Sequence, residues 1–174
     1  MKLIRLAKVD IYPYSEEGDF DEFEEDSGVD MYEAADEVDK IFNDSNIRPS
    51  SGKELVNVAI LEGKVVGGVF ASWDLDHDGT SDNDVGEDEL PVAFFDFDVA
   101  VKPEARGNAR VGIYLIDSAI ERFESQRGDY EDMGYRTGIR LWVVNPKLKD
   151  FLERHRGFSV ESGYRDGTAH MVRW

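Results

Sequence analysis

The stretch FFDFDVAVKPEARGNARVGIYLID, residues 94–117, decides the fold. It belongs to a Phe- and Val-rich segment, Pro91 to Val101, that reads as one long strand. Lys102 to Gly112 follows as a basic, Gly-bearing loop. Ile113, Ile116, Ile120 and Phe123 then fall on one face of a helix. The opening of a helix leaves N–H groups unpaired at the positive end of its dipole. Small residues ahead of it let the backbone come close to an anion, and Arg106 and Arg110 add positive charge locally. Such a turn suits a pyrophosphate. An ordinary strand-loop-helix connection capped by Gly accounts for the same residues, so both readings stand.

Working outward, residues 2–14 alternate well enough for a first strand. The acidic stretch Glu16 to Asp30 reads as a loop or a loose helix start. Met31, Ala34, Ala35, Val38, Ile41 and Phe42 have helical spacing, with Asp30 as the N-cap. Val56 to Leu61 and Val65 to Trp73 form two strands joined by a tight turn at Glu62-Gly63-Lys64. Residues 74–90 form an acidic insertion. Beyond the central helix, Gln126 to Arg136 reads as a polar loop and Ile139 to Val144 as a strand. A short helix opens at Asn145-Pro146 and ends at Gly157. Phe158 to Ser162 and Thr168 to Trp174 are the last two strands. The order β α β β β α β α β β gives an α/β or α+β single domain over residues 1–174.

A chain of 174 residues is long enough for one hydrophobic core. There is no cysteine, which removes disulfides, thiolate metal sites and a cysteine nucleophile. No apolar run has the length of a membrane span, and the N-terminus lacks a signal-peptide core, so a cytoplasmic location is expected. The formal net charge of −18 repels phosphate backbones and argues against general nucleic-acid binding. It fits a solvated acidic surface, a docking surface for a basic partner, or a mimic of DNA.

In residues 94–117 the chain resembles the GNAT acyltransferases, whose fourth strand ends in V-x-P before an Arg/Gln-x-x-Gly-x-Gly/Ala loop that opens a helix. The matching residues are Val101, Pro103, Glu104, Arg106 and Gly107. The two later family positions hold Ala109 and Val111, or Gly112 supplies the late glycine from a loop one residue longer. A second region agrees: Val143-Val144-Asn145, then a helix ending Arg156-Gly157-Phe158. The resemblance covers roughly residues 56–174. It implies a central mixed twisted sheet with helices on both faces, and acetyl-CoA or another acyl-CoA as co-substrate. It also implies that the backbone of Arg106, Gly107, Asn108, Ala109, Arg110, Val111 and Gly112 cradles the pyrophosphate. Val99, Ala100 and Val101 would pair with the pantetheine arm, and Asn145 would belong to the same coenzyme site.

Transfer in that family is direct: an acceptor amine attacks the thioester in a ternary complex, and holding both substrates supplies much of the rate. A base must take the amine proton. Asp96 and Asp98 are candidates, expected on the strand face opposite Phe95, Phe97 and Val99. Many family members carry a tyrosine in the last helix near the leaving thiolate. Phe151 to Arg156 has none, which leaves His155 as a candidate acid and Tyr164, like Tyr114, as a weaker one.

Within the insertion, Asp74, Asp76, Asp78 and Asp82 follow a D-x-D-x-D-G-x-x-D spacing that resembles calcium loops, although the twelfth position is Val85 rather than Glu. A solvated acidic hairpin loop is the other reading. The sequence thus points to an acyl-CoA-dependent N-acyltransferase acting on an amine of a small molecule or protein. The acidic rim favours a cationic acceptor. A non-catalytic GNAT-fold binding protein and an acidic interaction protein are the rivals. The oligomeric state, a homodimer included, is not fixed by the sequence.

Overall fold

The computed structural model describes residues 9–15, 20–49, 52–76, 90–106, 110–163 and 168–174. The elements run β1 (Val9–Pro13), α1 (Phe20–Ser27), α2 (Met31–Asp44), β2 (Glu54–Leu61), β3 (Lys64–Asp76) and β4 (Val92–Val101). A 3-10 turn, Pro103–Ala105, leads to α3 (Val111–Asp132), β5 (Arg136–Val143), α4 (Pro146–His155), β6 (Ser159–Gly163) and β7 (Ala169–Arg173). The strands form one sheet in the order β1-β2-β3-β4-β5-β7-β6. β4 and β5 pair in parallel, whereas β1–β2, β2–β3, β5–β7 and β6–β7 are antiparallel. A parallel pair needs a long crossover, and α3 is that crossover. The chain forms two compact units, Met1–Ala71 with Asp98–Glu121, and Ser72–Phe97 with Arg122–Trp174.

In the first unit the Asp30 carboxylate accepts from the Glu33 N–H at 2.8 Å and caps α2, as its sequence position predicts. The helix buries Met31, Ala34, Val38, Ile41 and Phe42. They pack with Leu55, Val58, Ile60 and Val65. The acidic stretch before Asp30 contains a true helix, α1, because Phe23 anchors it edge-on against Tyr12 and Tyr14 at 6.2 and 5.9 Å. Two adjacent glycines show how closely α2 and α3 pack. A Cβ on Gly68 would lie 2.6 Å from Val38 Cγ1 of α2. One on Gly67 would lie 3.0 Å from Leu115 Cδ1 of α3 and 2.7 Å from the Ala100 carbonyl oxygen. Neighbouring strand residues point to opposite faces, so α2 and α3 cover the two faces of β3. On the α3 side, Asn57 is buried and its amide donates to Ser118 Oγ at 3.0 Å.

In the second unit Trp73 stacks on Tyr130 at 3.9 Å and meets Phe95 and Phe123 at 5.4 and 5.7 Å. Its indole N–H donates to Gln126 Oε1 at 3.0 Å. Those contacts, with Arg127 pairing to Glu124 at 3.2 Å and Glu131 at 2.7 Å, extend α3 to Asp132 through residues that the sequence reading assigns to a polar loop. β3 likewise continues to Asp76, so Asp74 and Asp76 are strand residues rather than the start of an insertion. Residues 77–89 lie outside the described residues.

Candidate functional site

The end of β4 is fixed to β3 by the Lys102 N–H, which donates to the Val66 carbonyl at 2.8 Å. Pro103 then sets the 3-10 turn, closed by Ala105 N–H to the Lys102 carbonyl at 3.0 Å. Arg106 folds back from this turn. Its Nε donates to the Val101 carbonyl at 2.9 Å and its Nη2 to Ser45 Oγ at 3.1 Å, where Ser45 is the C-cap of α2. Guanidinium carries five N–H donors, so the two bonds orient the fork without exhausting it. Lys102 forms an ion pair with Glu37 of α2, and that hydrogen bond holds the Glu37 carboxyl below the ordinary carboxylate range.

Arg110 enters α3 with φ of 53°, in the left-handed region that disfavours a residue with a Cβ. Its carbonyl accepts from the N–H groups of Ile113 at 2.9 Å and Tyr114 at 3.1 Å. The N–H groups of Val111 and Gly112 have no helical carbonyl to reach, as in the first turn of any helix. A Cβ on Gly112 would lie 3.7 Å from Val101 Cγ2, so the helix entrance stands beside the strand end. Val101, Arg106, Arg110, Val111 and Gly112 are therefore gathered at one place, while Gly107, Asn108 and Ala109 lie outside the described residues. Strained backbone tends to collect where ligands bind, and here it coincides with the first-turn amides of α3.

Val99 and Val101 are half-buried and Ala100 is buried on β4. The ladder to β5 runs from Val92 opposite Arg136 to Asp96 opposite Arg140 and ends there. Asp98 does not face solvent freely: Lys53 Nζ donates to its Oδ2 at 2.7 Å.

Asp96 is buried, at 9 % exposure, and Arg140 holds it from β5, with Nε donating to Oδ2 at 3.3 Å. The same guanidinium donates through Nη2 to Asp74 of β3 at 2.5 Å and lies 4.6 Å over the Phe94 ring. Asp74, a proposed metal ligand, is thus bound to a cation of the protein. The side chain of Asp76, and Asp78 and Asp82 altogether, lie outside what is described. Among the described residues no group of three or more His, Asp or Glu side chains is placed to hold a metal.

Arg140 belongs to a face that sequence reasoning missed. Trp142 lies two residues further along β5, on the same side, and stands opposite His170 of β7. The two rings stack at 4.2 Å. His170 Nδ1 lies 3.1 Å from Glu161 Oε2 of β6, at the irregularity between Val160 and Ser162. Burial is the largest influence on His170 and lowers its pKa below 6.5; Glu161 and Asp96 pull upward and Arg140 downward. Only the register of β4, β5 and β7 collects these residues, and no local motif announces it.

Asn145 accepts from the N–H groups of Lys147 at 2.9 Å and Leu148 at 3.4 Å, so its side-chain oxygen serves as the N-cap of α4. His155 is exposed in the last turn of α4, its ring 5.1 Å from Phe151. Tyr114 is 45 % exposed near the start of α3, and Tyr164 lies outside the described residues. Among the described residues no helix is long and apolar enough to cross a membrane.

No family model and no curated protein matches the sequence. Solved structures do match in fold. Arabidopsis thaliana Naa50, solved in complex with the bisubstrate analogue CoA-Ac-MVNAL, is 10 % identical with a TM-score of 0.58, over 96 % of this chain and 99 % of that one. Arabidopsis thaliana NAA60, solved in complex with acetyl-CoA, is 16 % identical with a TM-score of 0.58 over the same shares, 96 % and 99 %. Escherichia coli ElaA is 15 % identical with a TM-score of 0.55 over 97 % of this chain and 99 % of that one. With its mixed seven-stranded sheet and the β4-loop-α3 passage, the chain has the fold of the GNAT acetyltransferases.

Proposed function

We propose that the chain is an acyl-CoA-dependent N-acyltransferase that moves an acetyl or short acyl group to an amine by direct transfer. The observation that carries this reading is the entrance to α3, where the first-turn amides of Val111 and Gly112 follow a left-handed Arg110, with Arg106 anchored to the Val101 carbonyl. Amides, a helix dipole and two guanidinium groups suit a diphosphate. β4 beyond Asp96, free of its β5 ladder, suits an extended pantetheine arm that pairs with backbone. That the neighbours Naa50 and NAA60 were solved with CoA-based ligands supports the same reading.

The acceptor is an amine of a small molecule or a protein, and a cationic one is favoured. The net charge of −18 supports this preference. A coenzyme-binding protein without turnover is the second reading. It draws on the fact that both carboxylates expected as bases, Asp96 and Asp98, already hold protein cations. Calorimetry with acetyl-CoA tests the site. Arg106→Glu should weaken binding at least about tenfold with the circular dichroism spectrum unchanged. Equal affinity in wild type and variant removes the diphosphate assignment. Thiol release from acetyl-CoA across an amine panel then separates the two readings: binding without release supports the second.

A further inference from the structure

Resting on the coenzyme site proposed above, we propose that Ser45 is a positioning residue for the coenzyme: its hydroxyl holds the Arg106 guanidinium, still carrying its full charge, in the orientation that receives the diphosphate. Ser45, Val101, Arg106 and Gly112 all belong to the first unit. Local geometry fixes Ser45. Its N–H ends α2 by donating to the Ile41 carbonyl at 3.1 Å and the Phe42 carbonyl at 3.2 Å. Asn46 then takes a left-handed φ of 54°, and the Ile47 N–H returns to the Phe42 carbonyl at 3.1 Å. None of those bonds uses the Ser45 side chain. Its hydroxyl accepts instead from Arg106 Nη2 at 3.1 Å.

Nε and Nη2 lie along one edge of the guanidinium plane. That edge is taken by the Val101 carbonyl, 2.9 Å from Nε, and by Ser45 Oγ. Nη1 and the second hydrogen of Nη2 form the other edge, a parallel pair of donors that matches two phosphate oxygens. Among the described residues Nη1 has no partner, and Arg106 is exposed. Val101 also borders the α3 entrance, because a Cβ on Gly112 would lie 3.7 Å from its Cγ2. The fork is thus anchored on the residue that flanks the first-turn amides. Lys102 pairs with Glu37, so α2 and this turn are joined at two places.

The nature of the two acceptors sets Arg106 apart. Lys53, Lys102, Arg127, Arg140, Lys149 and Arg173 each pair with a carboxylate. Such pairing is expected where 38 acidic residues face 20 basic ones. Arg106 is held by a carbonyl and a hydroxyl, both neutral, and among the described residues no carboxylate pairs with it. Its charge therefore remains available to an anion. The tether also removes rotamer freedom before the ligand arrives, which lowers the cost of binding. The negative end of the α2 dipole favours the same placement.

Calorimetry on the full chain tests this with two probes. One is acetyl-CoA. The other is acetyl-dephospho-CoA, which keeps the diphosphate and lacks the 3′-phosphate. Ser45→Ala should weaken acetyl-CoA binding about fivefold, and Ser45→Thr, which keeps a hydroxyl, should bind within about twofold of the wild type. The Ser45→Ala loss should be the same for both probes. Arg106→Ala should weaken binding about tenfold or more, and adding Ser45→Ala to it should bring no further loss. A role confined to holding α2 would give the same loss with and without Arg106. That result, or level affinity in Ser45→Ala, overturns the positioning role and leaves the coenzyme site standing. A Ser45→Ala loss that vanishes with acetyl-dephospho-CoA assigns Arg106 to the 3′-phosphate and overturns the diphosphate orientation. Unchanged affinity in Arg106→Ala removes Arg106 from the site, and absent heat with the wild type removes the coenzyme site itself.

Discussion

Lys53 Nζ lies 2.7 Å from Asp98 Oδ2, and only 1 % of the Lys53 side chain is exposed, against 14 % for Asp98. The pair ties the segment ahead of β2 to the part of β4 proposed to receive the coenzyme arm. Removing one partner of a buried ion pair costs far more than the intact pair contributes. Asp98→Asn should therefore destabilise the fold by about 3 kcal/mol, read as a lower urea midpoint at constant slope. Replacing both partners by apolar residues, Lys53→Met with Asp98→Leu, should recover most of the loss. A double variant as unstable as the single would show that the pair is not the source.

Packing at Gly67 and Gly68 gives a second expectation, because the two methyl groups would meet different obstacles. At Gly68 the obstacle is a Val38 methyl 2.6 Å away, which Val38→Ala removes. At Gly67 it includes the Ala100 carbonyl oxygen at 2.7 Å, a backbone atom that no side-chain change relieves. Each Gly→Ala change should cost about 1–3 kcal/mol. Adding Val38→Ala should recover part of the loss at Gly68 and none at Gly67, measured by thermal or urea unfolding. Equal recovery at both positions would mean that the helices shift instead of the strand.

The same contrast between local and long-range causes explains what the sequence discloses. Asp30, Asn145-Pro146 and Gly157 are local signals, and each falls where it was expected: two caps and a helix end with φ of 72°. The central strand and helix were legible because Phe95, Phe97, Ile116 and Phe123 carry strong periodicity and are buried. Helix α1 and the last turns of α3 were not, since their order comes from Phe23 meeting Tyr12 and Tyr14, and from Tyr130 stacking on Trp73. The candidate site divides in the same way. Arg106, Arg110 and Gly112 lie within seven positions of one another in the sequence. The partners of Asp96, Asp98 and Asp74 come from Arg140 and Lys53, tens of residues away, and the tertiary fold selects them rather than any local motif.

Asn145 permits a test that separates a cap from a coenzyme contact. Its Oδ1 accepts from two N–H groups at the start of α4. Asn145→Ala should cost about 1 kcal/mol, and Asn145→Asp or Asn145→Ser should retain most of the stability. If the residue acts only as a cap, acetyl-CoA affinity by calorimetry stays level across all three variants. Affinity that drops in Asn145→Asp while stability holds would assign Asn145 to the coenzyme site that the family resemblance suggests.

His170 also imposes a pH dependence on folding, independent of any activity. Burial lowers its pKa in the folded chain below the 6.5 of an exposed imidazole. Between those two values the unfolded chain binds the proton that the folded chain refuses, so stability rises with pH across the window. The stabilising effect is complete above 6.5 and is lost as pH falls through the folded value. His170→Gln carries no such proton, so its unfolding free energy should change less than that of the wild type between pH 7 and the mildly acidic range. Urea midpoints of both proteins across that range measure the difference. Parallel curves would mean that the ring between Trp142 and Glu161 titrates as though it were in water, and that its burial leaves its proton affinity unchanged.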